Sequence, residues 1–113
     1  MRLIRSFRYA LKGISNAFRE EPNLRIHFLA IVMVCAMGFY FQIKKWEWCV
    51  LTLVSSLVVS LELINSAIEN MTDLLTIEQK PLAGKIKDIS AGAVLIAAAG
   101  AMIVGIIIFK NYV

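Results

Sequence analysis

The chain has 113 residues, enough for one domain and no more. Hydrophobic residues make up 59% of it, against roughly 45–50% in soluble domains, and a globule this small has too little interior to hide the excess from water. The formal net charge is +4, but no stretch interleaves bases with aromatics as a nucleic-acid groove does, so lipid is the expected solvent and no nucleic-acid partner is expected.

Residues 1–20 predict an amphipathic helix. Leu3, Ile4, Phe7, Ala10, Leu11, Ile14, Ala17 and Phe18 follow helical spacing, with Arg2, Arg5, Arg8 and Lys12 on the other side. Basic residues opposite an apolar face describe a helix lying in a membrane interface. Glu20, Glu21, Pro22 and Asn23 break it, and Pro22 suits the first turn of the next helix.

Residues 23–43 form the first expected membrane helix. Its twenty or so apolar residues match a hydrocarbon core of about 30 Å. Lys44, Lys45, Trp46, Glu47 and Trp48 read as a short polar turn with tryptophans at interfacial depth. A second long helix is expected over 47–75. Residues 76–85, with Pro81 and Gly84, read as a polar connection, and a third membrane helix is expected over 86–109. That helix is rich in small residues, and Ala97, Ala101 and Gly105 at spacing four suit close helix packing.

Lys and Arg counting sets the orientation. Six lie in the segment through Arg25, three at Lys80, Lys85 and Lys87, two at Lys44 and Lys45, and one at Lys110. Nine against three places the N-terminus and the 76–87 region in the cytoplasm. Cys35 and Cys49 belong to no CxxC motif, and His27 has no nearby partner that would suggest zinc.

The chemistry concentrates on the second helix. Glu62, Asn65, Glu69 and Asp73 fall on one narrow stripe, and Glu62 lies inside the expected span. A carboxylate in hydrocarbon is costly unless it is paired or faces water, so it points to function. Lys85, Lys87 and Asp88 begin the third helix at the same depth, and Glu20 and Glu21 begin the first. Hard carboxylate oxygens suit Mg²⁺, lysine with Mg²⁺ holds a polyphosphate, and phosphoryl transfer needs little beyond positioning and charge neutralisation. A buried Glu can take a proton from an alcohol. The competing explanation is a structural polar network that fixes helix packing. The motifs of soluble kinases, GxxxxGK[ST], GxGxxG, HRD and DFG, are missing from the sequence.

The run Glu62-Leu-Ile-Asn65-Ser-Ala-Ile-Glu69-Asn-Met-Thr-Asp73 resembles the ExxNxAxExxxD signature of the bacterial integral-membrane diacylglycerol kinase and undecaprenol kinase family. Lys87-Asp88 and the following Ile-Ser-Ala-Gly-Ala-Val-Leu resemble its AKDxxAGAV motif, with Ile86 where the family often has Ala. The stretch from Ala17 to Arg25, with Glu21 ahead of Arg25, resembles a third motif. The resemblance implies an all-α membrane protein: a homotrimer of three-span protomers, each with an N-terminal surface helix, and active sites shared between protomers. It implies an ATP- and Mg²⁺-dependent lipid kinase of the bacterial inner membrane, with its active site on the cytoplasmic side. By matching position, Glu21 and Glu69 would hold Mg²⁺, Glu62 would be the base for the lipid hydroxyl, and Asn65 would orient that region. Lys87 would contact the transferred phosphate, Asp88 would support Lys87 or the nucleotide, and Asp73 and Tyr9 would lie near the sugar and base. The Glu20-Glu21, Glu47-Trp48 and Ala91-Gly92-Ala93 segments resemble the undecaprenol branch, with diacylglycerol the other acceptor. The alternatives are a small oligomeric proton-coupled transporter using Glu62 and a structural subunit.

Overall fold

The computed structural model describes residues 1–76 and 81–113. Residues 77–80, part of the expected connection and the site of Lys80, lie outside the described residues. The described residues form four helices: α1 (Arg2–Glu20), α2 (Pro22–Phe41), α3 (Lys45–Leu75) and α4 (Pro81–Lys110). Three of them, α2, α3 and α4, are long and apolar enough to cross a membrane. Their outer faces carry exposed Leu53, Leu57, Leu95, Ile96 and Ile103. Helices satisfy their own backbone groups, so such faces are stable against hydrocarbon. The protein is thus an all-helical, multi-pass membrane protein.

Helix ends follow local chemistry and shift three expected boundaries. Glu21 is extended (φ −109°) and separates α1 from α2, which starts with Pro22 at a position that needs no N–H. α2 stops at Phe41 rather than 43 because Gln42 takes a left-handed conformation (φ 52°). α3 begins at Lys45 rather than 47, because the Glu47 carboxylate accepts the Lys44 backbone N–H at 2.9 Å. The largest shift is in α4, which includes Pro81 and Gly84 instead of starting at 86. Proline is a good first-turn residue, and one interior glycine costs only about 1 kcal/mol.

The most extensive packing is between α3 and α4, while α2 lies against α3, and α1 touches both α2 and α3. The apolar core sits at the α2–α3 turn, where Ile43, Leu51, Ile108 and Phe109 pack with Phe41, Trp48 and Tyr112. Glu47, 2% exposed, is the polar centre of this end. It takes the Lys44 N–H and the Tyr112 hydroxyl, and so ties the end of the chain to the turn. That bond to Glu47 raises the Tyr112 phenol above its ordinary pKa.

Gly38 sets the approach of α2 to this core. A Cβ there would lie 2.6 Å from Trp48 Cη2 and 3.2 Å from Ile43 Cδ1. The indole is rigid and already packed on Phe39, with ring centroids 4.9 Å apart. Gly38→Ala is therefore expected to destabilise the protein by about 1–3 kcal/mol. Thermal unfolding in detergent checks this. Gly84→Ala, where nothing lies within 4 Å, serves as the control and is expected to be neutral or stabilising by up to about 1 kcal/mol.

Candidate active site

The other end of the bundle gathers the polar residues. Along α3, Glu62, Asn65, Ser66 and Thr72 are buried, Glu69 is half-buried and Asp73 is exposed. The stripe therefore grades from interior to solvent. Thr72 spends its hydroxyl on the Ile68 carbonyl at 2.7 Å, a bond within its own helix.

Asn65 is the hub. Its Oδ1 accepts the Ser90 hydroxyl of α4 at 2.5 Å, and its Nδ2 donates to Glu69 Oε1 at 3.4 Å. One amide thus locks α3 to α4 and orients a carboxylate one turn away. Ser90→Ala removes the first of these bonds and leaves Asn65 Oδ1 unpaired. A buried acceptor left unpaired costs about 1–3 kcal/mol, so this variant is expected to lose about that much stability and several-fold in turnover. Steady-state kinetics beside thermal unfolding would separate the two effects.

Glu62 lies deepest, at 2% exposure. Its Oε2 is 3.7 Å from His27 Nε2 of α2. Glu21 and Glu69 lie close enough to act on it electrostatically. Leu24, 1% exposed, fills the start of α2. At the solvent end, Lys87 Nζ of α4 meets Asp73 Oδ1 at 2.5 Å. Both side chains are substantially exposed, so the pair contributes about 0–1 kcal/mol and is readily exchanged for a phosphate.

A cleft separates α1 from α3. Gly13, Asn16, Glu20 and Glu21 line one side, and Ser66 and Asn70 the other. Ser66 Oγ is buried there without a hydrogen-bond partner among the described residues. Buried hydroxyls are normally satisfied, so the cleft suits a polar ligand.

Of the residues singled out in the sequence, Glu62, Asn65, Glu69, Asp73, Lys87 and Glu21 converge on this end. Tyr9 and Asp88 are exposed and make no hydrogen bond or ion pair among the described residues. His27, Ser66 and Ser90 enter only through the structure. A histidine inside an apolar span was the available signal for the first. Ser90, three residues beyond Lys87 on one helix face, was the signal for another. Among the described residues no three Asp, Glu, His or Cys side chains converge into a closed metal cage. Mg²⁺ does not need one, since it is held by one or two carboxylates together with waters and substrate phosphates. Glu21 and Glu69 fit that description.

Comparison with known proteins gives this site its class, that of membrane-embedded lipid kinases. The chain belongs to the prokaryotic diacylglycerol kinase family, whose model matches residues 8–109. It is 39% identical over 108 residues to the undecaprenol kinase of Bacillus subtilis (strain 168), covering 96% of this chain and 88% of that one. It is 45% identical over 105 residues to the diacylglycerol kinase of Synechocystis sp., covering 91% of this chain and 59% of that one. It is 30% identical over 111 residues to the diacylglycerol kinase of Escherichia coli (strain K12), covering 98% and 91%.

Proposed function

We propose that this lipid kinase moves the γ-phosphoryl group of ATP to the hydroxyl of undecaprenol or diacylglycerol, with Mg²⁺ bound to the nucleotide. The observation that carries the reading is the graded stripe on α3. Glu62 is buried, Asn65 one turn further on holds Glu69, and an exchangeable Lys87–Asp73 pair stands at the solvent end. A lipid hydroxyl reaches Glu62 from the hydrocarbon side, while a water-soluble nucleotide reaches Glu69 and Lys87 from the other.

Glu62 accepts the hydroxyl proton. The freed oxygen lone pair forms the bond to the γ-phosphorus as the bond to the bridging oxygen breaks and ADP leaves. Lys87 gives up Asp73 for the phosphoryl oxygens and neutralises their charge. Asn65 holds Glu69 in place, and Glu21 and Glu69 would hold the Mg²⁺ of the nucleotide. That ion would supply charge withdrawal from the phosphates. Asp88 supports Lys87 or the nucleotide, and Tyr9 and Asp73 lie towards its sugar and base. The helix α1, basic on one side and apolar on the other, lies in the interface and brings Glu20 and Glu21 to the cleft. The working form is a homotrimer with sites shared between protomers. It lies in the bacterial inner membrane, with the N-terminus and active site cytoplasmic, as the Lys and Arg distribution favours. Undecaprenol is taken as the preferred acceptor because the Glu20-Glu21, Glu47-Trp48 and Ala91-Gly92-Ala93 segments resemble that branch, while relatives named for either acceptor cover nearly the whole chain. The transporter reading gains no support.

The test is label transfer. Purified protein in mild detergent receives Mg²⁺ and γ-labelled ATP, with diacylglycerol and a polyprenol in parallel. Label in the polyprenol above the diacylglycerol supports the reading. The opposite ratio reassigns the acceptor, and label in neither rejects both.

A further inference from the structure

Helices α2 and α4 each pack on α3 but make little contact with one another. A groove therefore runs between them with α3 as its floor. It measures about 340 Å³, within the range of small-molecule sites, roughly 300–1,000 Å³. Its head is the candidate active site: the lining begins at His27, whose Nε2 lies 3.7 Å from Glu62 Oε2. On α3 the floor is Val58, Ser55 and Leu51, which precede Glu62 by 4, 7 and 11 positions and so continue the face that carries it. On α2, Ile31 and Val34 follow His27 by 4 and 7 positions. The wall from α4 holds Ala98, Ala101 and Gly105. Of the small residues at spacing four on α4, Ala97 is buried, whereas Ala101 and Gly105 border the groove, and a Cβ built on Gly105 meets nothing within 4 Å. Small side chains here leave room instead of drawing two helices together. At the head, the buried Glu62 carboxylate accepts no hydrogen bond among the described residues.

We propose that this groove holds the hydrocarbon chain of a polyprenyl alcohol, and that Ala98, Ala101 and Gly105 set which chain lengths are accepted. The inference rests on the reading of Glu62 as the base for that alcohol. A prenyl alcohol has one polar group and one chain. Its hydroxyl donates to the buried carboxylate, which lacks a donor, and its chain follows the apolar floor away from the nucleotide. Apart from His27 at the head and Ser55, every side chain lining the groove is apolar. A single groove takes a single chain, whereas diacylglycerol brings two chains and two ester groups to the same opening. The methyl branches that recur along a prenyl chain need side room, which alanines and a glycine provide. Because α4 runs away from the active site, its wall acts as a scale. Ser90 is bonded to Asn65 at the site, and at about 1.5 Å per residue Ala98 lies about 12 Å beyond it, Ala101 about 17 Å and Gly105 about 22 Å.

The test is a chain-length series of prenyl alcohols, from geraniol to a long polyprenol, assayed with Mg²⁺ and γ-labelled ATP. It is run on the full chain as wild type, Ala98→Leu, Ala101→Leu and Gly105→Leu. Each variant is expected to lose about tenfold or more in kcat/KM for alcohols long enough to reach its position, with KM for ATP unchanged. The order of onset is the signature. The loss should set in at the shortest chains for Ala98→Leu and only at longer chains for Gly105→Leu. A substitution that merely disturbs packing would scale every chain length alike. Ala99→Leu, on the exposed face of α4 and outside the groove, is the control and should keep the wild-type profile. An unshifted profile in all three groove variants, or the same shift in Ala99→Leu, would overturn the proposal. A change of oligomeric state with an unshifted profile would also overturn it, and would make this face a contact between copies of the chain. A shift seen with diacylglycerols of increasing acyl length, and not with prenyl alcohols, would give the groove to the other acceptor. Should Ala98→Leu fail to fold, the contrast between Ala101→Leu and Gly105→Leu decides. Glu62→Gln runs alongside and should be dead at every chain length. If it is active the base assignment falls, whereas a dead Glu62→Gln beside unshifted groove variants sinks only the groove.

Discussion

Glu62→Gln is expected to lower kcat by about 10²–10⁴-fold, the usual range for loss of a general base, while the protein stays folded and binds ATP. The substitution keeps the shape of a side chain that is 2% exposed, so packing against α2 is retained. It also removes a charge from a region where charge is costly. Among the described residues the close partner of Glu62 is His27 at 3.7 Å, a contact too long to offset desolvation in full. Thermal stability is therefore expected to hold or rise as activity collapses, the pattern of a residue retained for chemistry against the interest of stability. The loss should fall on kcat and on kcat/KM alike, because the proton moves only in the transition state. Single-turnover transfer of labelled γ-phosphate, beside a thermal melt of the same sample, measures both. A kcat within tenfold of wild type would remove Glu62 from the role.

The stripe that carries this prediction was legible in the sequence because helical spacing alone puts Glu62, Asn65, Glu69 and Asp73 on one face. So were three spans, since length and hydropathy suffice to mark them. The partners across helices were not. Ser90 meets Asn65 across 25 positions, and Tyr112 meets Glu47 across 65. Periodicity says which face a residue occupies, not which neighbour that face will meet. His27 shows the cost most clearly. Sought as a zinc ligand it had no partner, yet packing of α2 on α3 gives it a carboxylate. Helix ends misled for a local reason: Pro81 and Gly84 look like breakers, but a proline in the first turn starts a helix rather than ending one. Asp88 and Tyr9 stand differently. Family likeness alone picked out Tyr9, whereas Asp88 was also read beside Lys85 and Lys87 at the start of the third helix, and both side chains are exposed in the isolated chain.

Glu69→Gln is expected to act through the metal instead. Charge-assisted contacts contribute about 1.5–3 kcal/mol, which corresponds to a rise of roughly tenfold to a hundredfold in the Mg²⁺ concentration giving half-maximal rate. Glu69 is half-buried, and the one side-chain hydrogen bond it accepts among the described residues, from Asn65 at 3.4 Å, is long. Much of the carboxylate's bonding capacity is therefore free for a cation. The amide of Gln could still accept from Asn65, so the hub with Ser90 should survive and the change should isolate the lost charge. Glu21→Gln is expected to move the same curve in the same direction, because Glu21 holds an extended hinge between α1 and α2 and needs no charge to do so. The discriminating measurement is a Mg²⁺ titration at fixed ATP for Glu69→Gln, Glu21→Gln and Glu62→Gln together. Excess Mg²⁺ should recover most of the rate in the first two and none in the third, since a missing base is not replaced by saturating a metal. An unmoved Mg²⁺ curve in Glu69→Gln would leave that carboxylate with no metal to hold, and the site would then act on the nucleotide through Lys87 of α4.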